Sequence, residues 1–252
     1  MRIAVPARLN EVPITHRSPV LGRSDLYGDV KVILQSWSGY PVLSHLITEL
    51  PTIRVFLAGG VLRDILLRTK RPPKDYDFFV DGPALDSVLA ILESHGTVTF
   101  GPFGSPRWFP SISDATYADI IHVRNFYNGL GHCDNMLDVL QQFDFTANAI
   151  AIDLKTGGIL DPLNGSEDIN RRIMRAVRFD YPDEPISPHN PISRLSVLWF
   201  RLLHYAAQCE LEIEPVTMSW LIKNRSYKRD LAYFSKIFFP PNSRAKFVYE
   251  ND

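Results

Sequence analysis

Apolar and polar positions along the chain change period several times, and each change predicts an element. Residues 53 to 58, IRVFLA, form a short, mainly apolar run that stops at Gly59-Gly60. In VLRDILLR after it, Val61, Leu62, Ile65 and Leu66 recur at helical spacing, so the pattern predicts strand, turn, helix. YDFFV is the next strand, and ALDSVLAILESHG an amphipathic helix closed by Gly96. TVTFG, RWFPS and YADIIHVR read as three further strands. CDNMLDVLQQF reads as helix and TANAIAIDL as strand. Before this region, VLSHLITELP has helical spacing and stops at Pro51, while DVKVILQSW fits either a short strand or the start of a helix. Residues 1 to 28 show no period and read as an irregular arm.

After residue 165 the pattern turns helical. SEDINRRIMRAV is predicted as a helix with Ser166 as its cap. A Pro-rich joint, YPDEPISPHNP, leads into a long helix over ISRLSVLWFRLLHYAAQ, and the remainder reads as helical. Three regions follow: an N-terminal arm and helix at 1–50, a mixed α/β region at 51–165, and a helical region at 166–252.

Composition changes this picture little. The chain has 252 residues, 45% hydrophobic and 22% charged, which is enough for a sizeable core. A net charge of -1 argues against a protein that is basic throughout but allows a local basic patch. The two cysteines, Cys133 and Cys209, stand far apart and read as reduced thiols. The first twenty residues lack the apolar stretch of a secretory signal, and no apolar run is long enough to cross a membrane. A cytoplasmic protein without membrane contact is therefore expected.

The chemistry concentrates around the glycine turn. Asp75 and Asp77 lie two apart in a strand and so project to one face. Carboxylates that close repel unless a cation joins them, and hard oxygen ligands suit Mg2+. Asp119, in YADIIHVR, is the candidate third carboxylate. Gly59 and Gly60 would let backbone N–H groups approach phosphate, with Arg63 one turn behind. Asp64 is expected to pair with a basic residue. Trp108, Trp199 and Phe200 read as core, and His122 as a structural histidine near Asp119.

These residues fall into three motifs in order. GGVLRDILL followed by Asp75 and Asp77 resembles GGxVRDxLL and DxD; QFDFTANAIAID resembles RRDFTINA; DPLNGSEDINRRIMRAV resembles DPxxGxxDL and RxIR. Over residues 57 to 177 the chain thus resembles the class II tRNA nucleotidyltransferase and poly(A) polymerase family. The resemblance implies an α/β (α+β) fold: a polymerase-β-like head with a small mixed sheet and helices on one side, then a helical neck. It implies metal-dependent transfer of a nucleoside monophosphate from ATP or CTP to an RNA 3′ end, most naturally tRNA. Asp75 and Asp77 would hold magnesium, and Asp119 would help activate the attacking hydroxyl. Gly59, Gly60, Arg63, Asp144, Asn148, Arg172 and Arg175 would bind the nucleotide. Lys70, Arg71, Lys74, Arg171, Arg178, Arg194 and Arg201 are the candidate RNA contacts.

The departures matter too. Gln142 and Phe143 stand where the family has paired arginines, and no EDxxR is legible in the neck, where Arg194 and Arg201 are the polar candidates. The family also continues through long helical regions beyond the neck. Transfer to a protein or small molecule, and a non-catalytic nucleotide- or RNA-binding module, are the alternatives.

Overall fold

The computed structural model describes residues 26–69, 71–83, 85–111, 116–127, 129–187 and 190–245. The arm at 1–25 and Lys70 lie outside the described residues. Residues 26–28, read as part of that arm, instead open helix α1, Leu26–Gln35. DVKVILQSW could have been strand or helix because Val30, Val32 and Leu34 alternate. The i, i+4 spacing prevails: Leu26, Val30 and Leu34 are buried while Val32 is 68% exposed. Helix α2, Tyr40–Glu49, follows and buries Leu43 and Leu46.

The expected strand–turn–helix is β1, Arg54–Ala58, then Gly59, then α3, Gly60–Leu66. Then come β2 (Asp75–Asp81), α4 (Leu85–Ser94), β3 (Thr97–Phe100), β4 (Pro106–Phe109) and β5 (Tyr117–His122). Helix α5, Met136–Leu140, is held by a capping box between Asn135 and Asp138. TANAIAIDL is not a continuous strand. Thr146–Asn148 form a 3-10 turn, and only then does β6, Ala151–Asp153, begin, pairing with β7, Ile159–Leu160.

The seven strands form one mixed sheet in the order β3-β4-β5-β2-β1-β6-β7, with β2 and β5 parallel and the other pairs antiparallel. Helices cover both faces, a departure from the expected single side. One face, with Val55, Leu57, Phe78, Val80 and Ile120, packs into a large cluster shared with α1, α2 and α4. Across the register Phe56 pairs with Phe79 on the opposite face. There they meet Val123, Met136, Val139 and Leu140, so α5 covers part of the carboxylate-bearing face. Apolar residues on both sides of adjacent strands require this.

The helix expected over SEDINRRIMRAV is α6, Gly165–Asn170, and no longer. Arg172 adopts φ 56, which breaks the helix, and β8, Ile173–Met174, pairs in parallel with β11, Glu212–Ile213. Ser166 is not the cap. Asn164 holds that position, and Asp161 accepts the backbone N–H groups of Gly165 and Ser166 at 2.6 and 3.0 Å. The region is not wholly helical either, because β9 (Pro185–Ser187) and β10 (Asn190–Ser193) form a hairpin across the Pro-rich joint. Ser193 then caps α7, Arg194–Cys209. Trp199 and Phe200 on α7 are buried in the same cluster as the sheet. Helices α8 (Pro215–Lys223) and α9 (Leu231–Ile237) complete the described chain.

Candidate active site

The site grows from the end of β1. Gly59 turns the chain at φ 80 and ψ -138, a conformation that L side chains rarely adopt. A Cβ there would also lie 2.7 Å from Asp77 Oδ2, so the glycine makes room for the carboxylate. Strand β2 carries Asp75, Asp77 and Phe79 on the face that β1 shares through Ala58 and Phe56. The parallel register sets Asp77 beside Asp119 and Asp75 beside Tyr117. Three acidic side chains thus share one sheet face.

They do not share one ion-sized cage. Among the described residues, no three His, Cys, Asp or Glu side chains come close enough to hold a metal ion. Asp119 was expected beside Asp75 and Asp77 from a neighbouring strand, and the β5 register puts it on their face. Arg107 on β4 lies opposite Asp119 and takes both its oxygens, Nε to Oδ1 at 2.9 Å and Nη2 to Oδ2 at 3.1 Å. The Arg107 guanidinium lies 4.0 Å from the Tyr117 ring centroid, and the Tyr117 hydroxyl donates to Asp75 at 3.2 Å.

Electrostatics follows from this arrangement. Burial, then the neighbouring Asp75 and Asp119, push Asp77 up to about 8, opposed by Arg201. Burial also raises Asp119, and its hydrogen bonds to Arg107 oppose that rise. A carboxylate that resists ionisation beside another carboxylate is a site that favours a bound cation. Asp75 and Asp77, with their hard oxygens and the space left by Gly59, fit a divalent cation as a two-carboxylate set.

Behind this face runs a polar chain. Arg63, expected to reach phosphate, is 4% exposed. Its Nε donates to Asp64 at 2.8 Å and its Nη1 to Asn148 at 2.8 Å, and its guanidinium lies 4.7 Å from the Tyr205 ring centroid. Asn148 donates onward to Asp144 at 3.3 Å, and Arg201 donates to Asp144 at 2.6 Å. Arg63 is therefore a buried strut, and it is the basic partner expected for Asp64. Asn148, Asp144 and Arg201 are likewise committed to one another.

The arginines after α6 also have protein partners. Arg175 forks onto Asp168 at 2.9 and 3.2 Å and reaches Glu214, the α8 cap, at 3.5 Å. Thr146 donates to the same Asp168 at 2.7 Å. Arg175 thus links α6 to the start of α8. Exposed Arg172 donates to the Cys209 carbonyl at the end of α7, and Arg178 pairs with Asp180 at 2.6 Å. Arg171, Arg71 and Lys74 are exposed. Arg194, half-buried, has an Nε with no hydrogen-bond partner among the described residues. His122 faces away from Asp119 and meets the Gly82 carbonyl at 2.8 Å. Arg107, Tyr117 and Tyr205 were not singled out in the sequence. Alternation in RWFPS puts Arg107 and Trp108 on opposite faces, but only the register to β5 shows what Arg107 meets.

The poly(A) polymerase head-domain family model matches residues 110–175. A multifunctional CCA protein of Stenotrophomonas maltophilia (strain K279a) is 32% identical over 143 residues, covering 53% of this chain and 33% of that protein. One from Xanthomonas axonopodis pv. citri (strain 306) is 32% identical over 191 residues, covering 71% of this chain and 40% of that protein. The chain spans about a third of the length of the first of these curated relatives. A Thermotoga maritima CCA-adding enzyme solved in complex with tRNA has the same fold, at TM-score 0.59 and 20% identity over 91% of this chain and 51% of that one. A CCA-adding enzyme solved with CTP matches at TM-score 0.55 and 20% identity, over 88% of this chain and 49% of that one.

Proposed function

Because this chain belongs to the class II CCA-adding enzyme and poly(A) polymerase family, we propose that it moves a nucleoside monophosphate from a nucleoside triphosphate to an RNA 3′ end. The observation that carries this is the placement of Asp75 and Asp77 on one face beside the Gly59 turn. ATP and CTP are the proposed donors and the end of a tRNA the proposed acceptor, in keeping with the relatives' names.

Asp75 and Asp77 would hold magnesium, which when bound would supply charge neutralisation on the triphosphate. The RNA hydroxyl attacks the α-phosphorus, the new P–O bond forms as the α–β anhydride bond breaks, and pyrophosphate leaves. Gly59 and Gly60 contribute by the absence of side chains, leaving backbone open to phosphate. Arg63 acts indirectly: its bonds to Asp64 and Asn148 fix α3 behind the turn. On the neck, Arg201 is committed to Asp144, which leaves Arg194 as the candidate for a base edge. One polar group in place of a full set of readers supports loose base choice.

One observation favours a second reading, a binding module without transfer activity: Asp119 is engaged by Arg107. The two readings separate when tRNA transcripts ending before the final C, C or A are incubated with each triphosphate and magnesium. Lengthened transcripts, with more than one base accepted at a position, are the expected products. Nucleotide binding without any extension of any transcript would favour the module.

A further inference from the structure

We infer that Phe143 is the ring on which the base of the bound nucleoside triphosphate stacks, beside the two-carboxylate face. This deepens the transfer reading above and rests on it. Its own support is an aromatic patch that continues the Asp77 face of the sheet.

Along β2 that face carries Asp75, Asp77 and then Phe79, and beside it β5 carries Asp119 and then Ile121. Charge gives way to apolar surface within one same-face step. There Phe79 meets Phe126 at 5.7 Å and Phe143 at 5.8 Å between ring centroids, and Phe126 and Phe143 lie 6.2 Å apart at 29°. Phe79 is 1% exposed, as a core ring is, but Phe143, Phe126 and Ile121 are only half-buried and Tyr127 is 61% exposed. The patch therefore keeps an open side next to the carboxylates. Phe143 is also held in place. Its backbone N–H donates to the Leu140 carbonyl at the end of α5 at 3.3 Å, and the Tyr181 hydroxyl donates to its carbonyl at 2.5 Å. The next residue, Asp144, is fixed by Arg201 and Asn148. A ring fixed in this way presents its π-face with little freedom left to lose on binding. Where paired arginines would put charge, Phe143 offers that face instead. Stacking on an aromatic ring accepts any base, which agrees with loose base choice. The loop after Phe126 also passes close to Arg194: a Cβ on Gly129 would lie 3.7 Å from Arg194 Cζ. A stacking face and a guanidinium suited to a base edge thus flank one loop.

Calorimetric binding of ATP, CTP and inorganic tripolyphosphate, each with magnesium and without RNA, tests the inference. Phe143→Leu keeps an apolar side chain against Phe79 but removes the π-face. It is expected to weaken ATP and CTP about tenfold, within the range for a base stacked on one ring, and to leave tripolyphosphate unchanged. Phe143→Trp, with a larger face, is expected to bind ATP at least as tightly as the unchanged chain. Unchanged ATP affinity in Phe143→Leu, or a loss that tripolyphosphate shares equally, would overturn the inference; the second result would make Phe143 a packing residue only. If Phe143→Leu fails to fold, as judged by thermal melting, Phe143→Trp decides: ATP bound more weakly, with tripolyphosphate unchanged or weakened alike, would overturn it. Failure of the underlying transfer reading gives a different signature, base-dependent binding of ATP and CTP by an unchanged chain that extends no RNA.

Discussion

Arg63→Met removes the guanidinium that bonds Asp64 and Asn148 beneath the glycine turn. Breaking such a buried pair costs about 3 kcal/mol. In a chain this size that lowers Tm by about 6–12 °C. Thermal melting is the check: a stable variant with weakened triphosphate affinity alone would restore Arg63 as a direct phosphate ligand. Helical spacing in VLRDILLR showed where Arg63 stands along α3, but not that its charge would turn inward to a partner 85 residues away. Asp75 and Asp77 were more legible, because period two in a strand fixes a shared face whatever the neighbours are. Asp119 was half legible. Its face follows from the strand, but its commitment to Arg107 depends on a register that a single sequence does not display.

At the scale of an element, α7 carries a pH-sensitive contact. His204 Nδ1 accepts the Asn242 backbone N–H at 2.9 Å, and the ring packs 4.3 Å, centroid to centroid, from Phe239. Burial, with a smaller contribution from Arg201 and Arg63, lowers the imidazole to about 4, against a hydrogen bond to Gln208 that raises it. The folded state therefore keeps His204 neutral where the unfolded chain binds a proton. That stability is fully present above pH 6.5 and is lost as pH falls toward 4, on the order of 2–3 kcal/mol in total. Urea unfolding at pH 7 and pH 4.5 measures it; His204→Gln is expected to flatten the difference, and an unchanged pH slope in that variant would contradict it. Long amphipathic elements such as α4 and α7 were legible because their apolar spacing is repeated. The early end of α6 was not, because nothing in NRRIM announces the left-handed backbone at Arg172 that sends the chain into β8. Tertiary pairing with β11 outweighs local helical preference there.

For the whole molecule, net charge of -1 and the internal pairing of Arg175, Arg178 and Arg201 leave few free cations beside the site. Arg71, Lys74 and Arg171 are three exposed candidate RNA contacts for which no ion pair is seen among the described residues. Three phosphate contacts at about -0.7 each give a log–log salt slope near about -2 for this chain with RNA. Affinity across a salt series, for intact tRNA and a short acceptor mimic, is expected to be similar for both. A several-fold steeper slope with intact tRNA would mean that a surface away from the site binds it. The central claim is that the Asp75 and Asp77 face transfers nucleotides. It is tested most directly by following α-labelled ATP and CTP onto tRNA lacking its 3′ end, for the unchanged chain and for Asp77→Asn. The expected result is label on the RNA with equimolar pyrophosphate, reduced at least about a thousandfold in the variant, the scale of several kcal/mol of lost charge stabilisation. Equal labelling by both proteins, or none by a folded, nucleotide-binding unchanged chain, would contradict it.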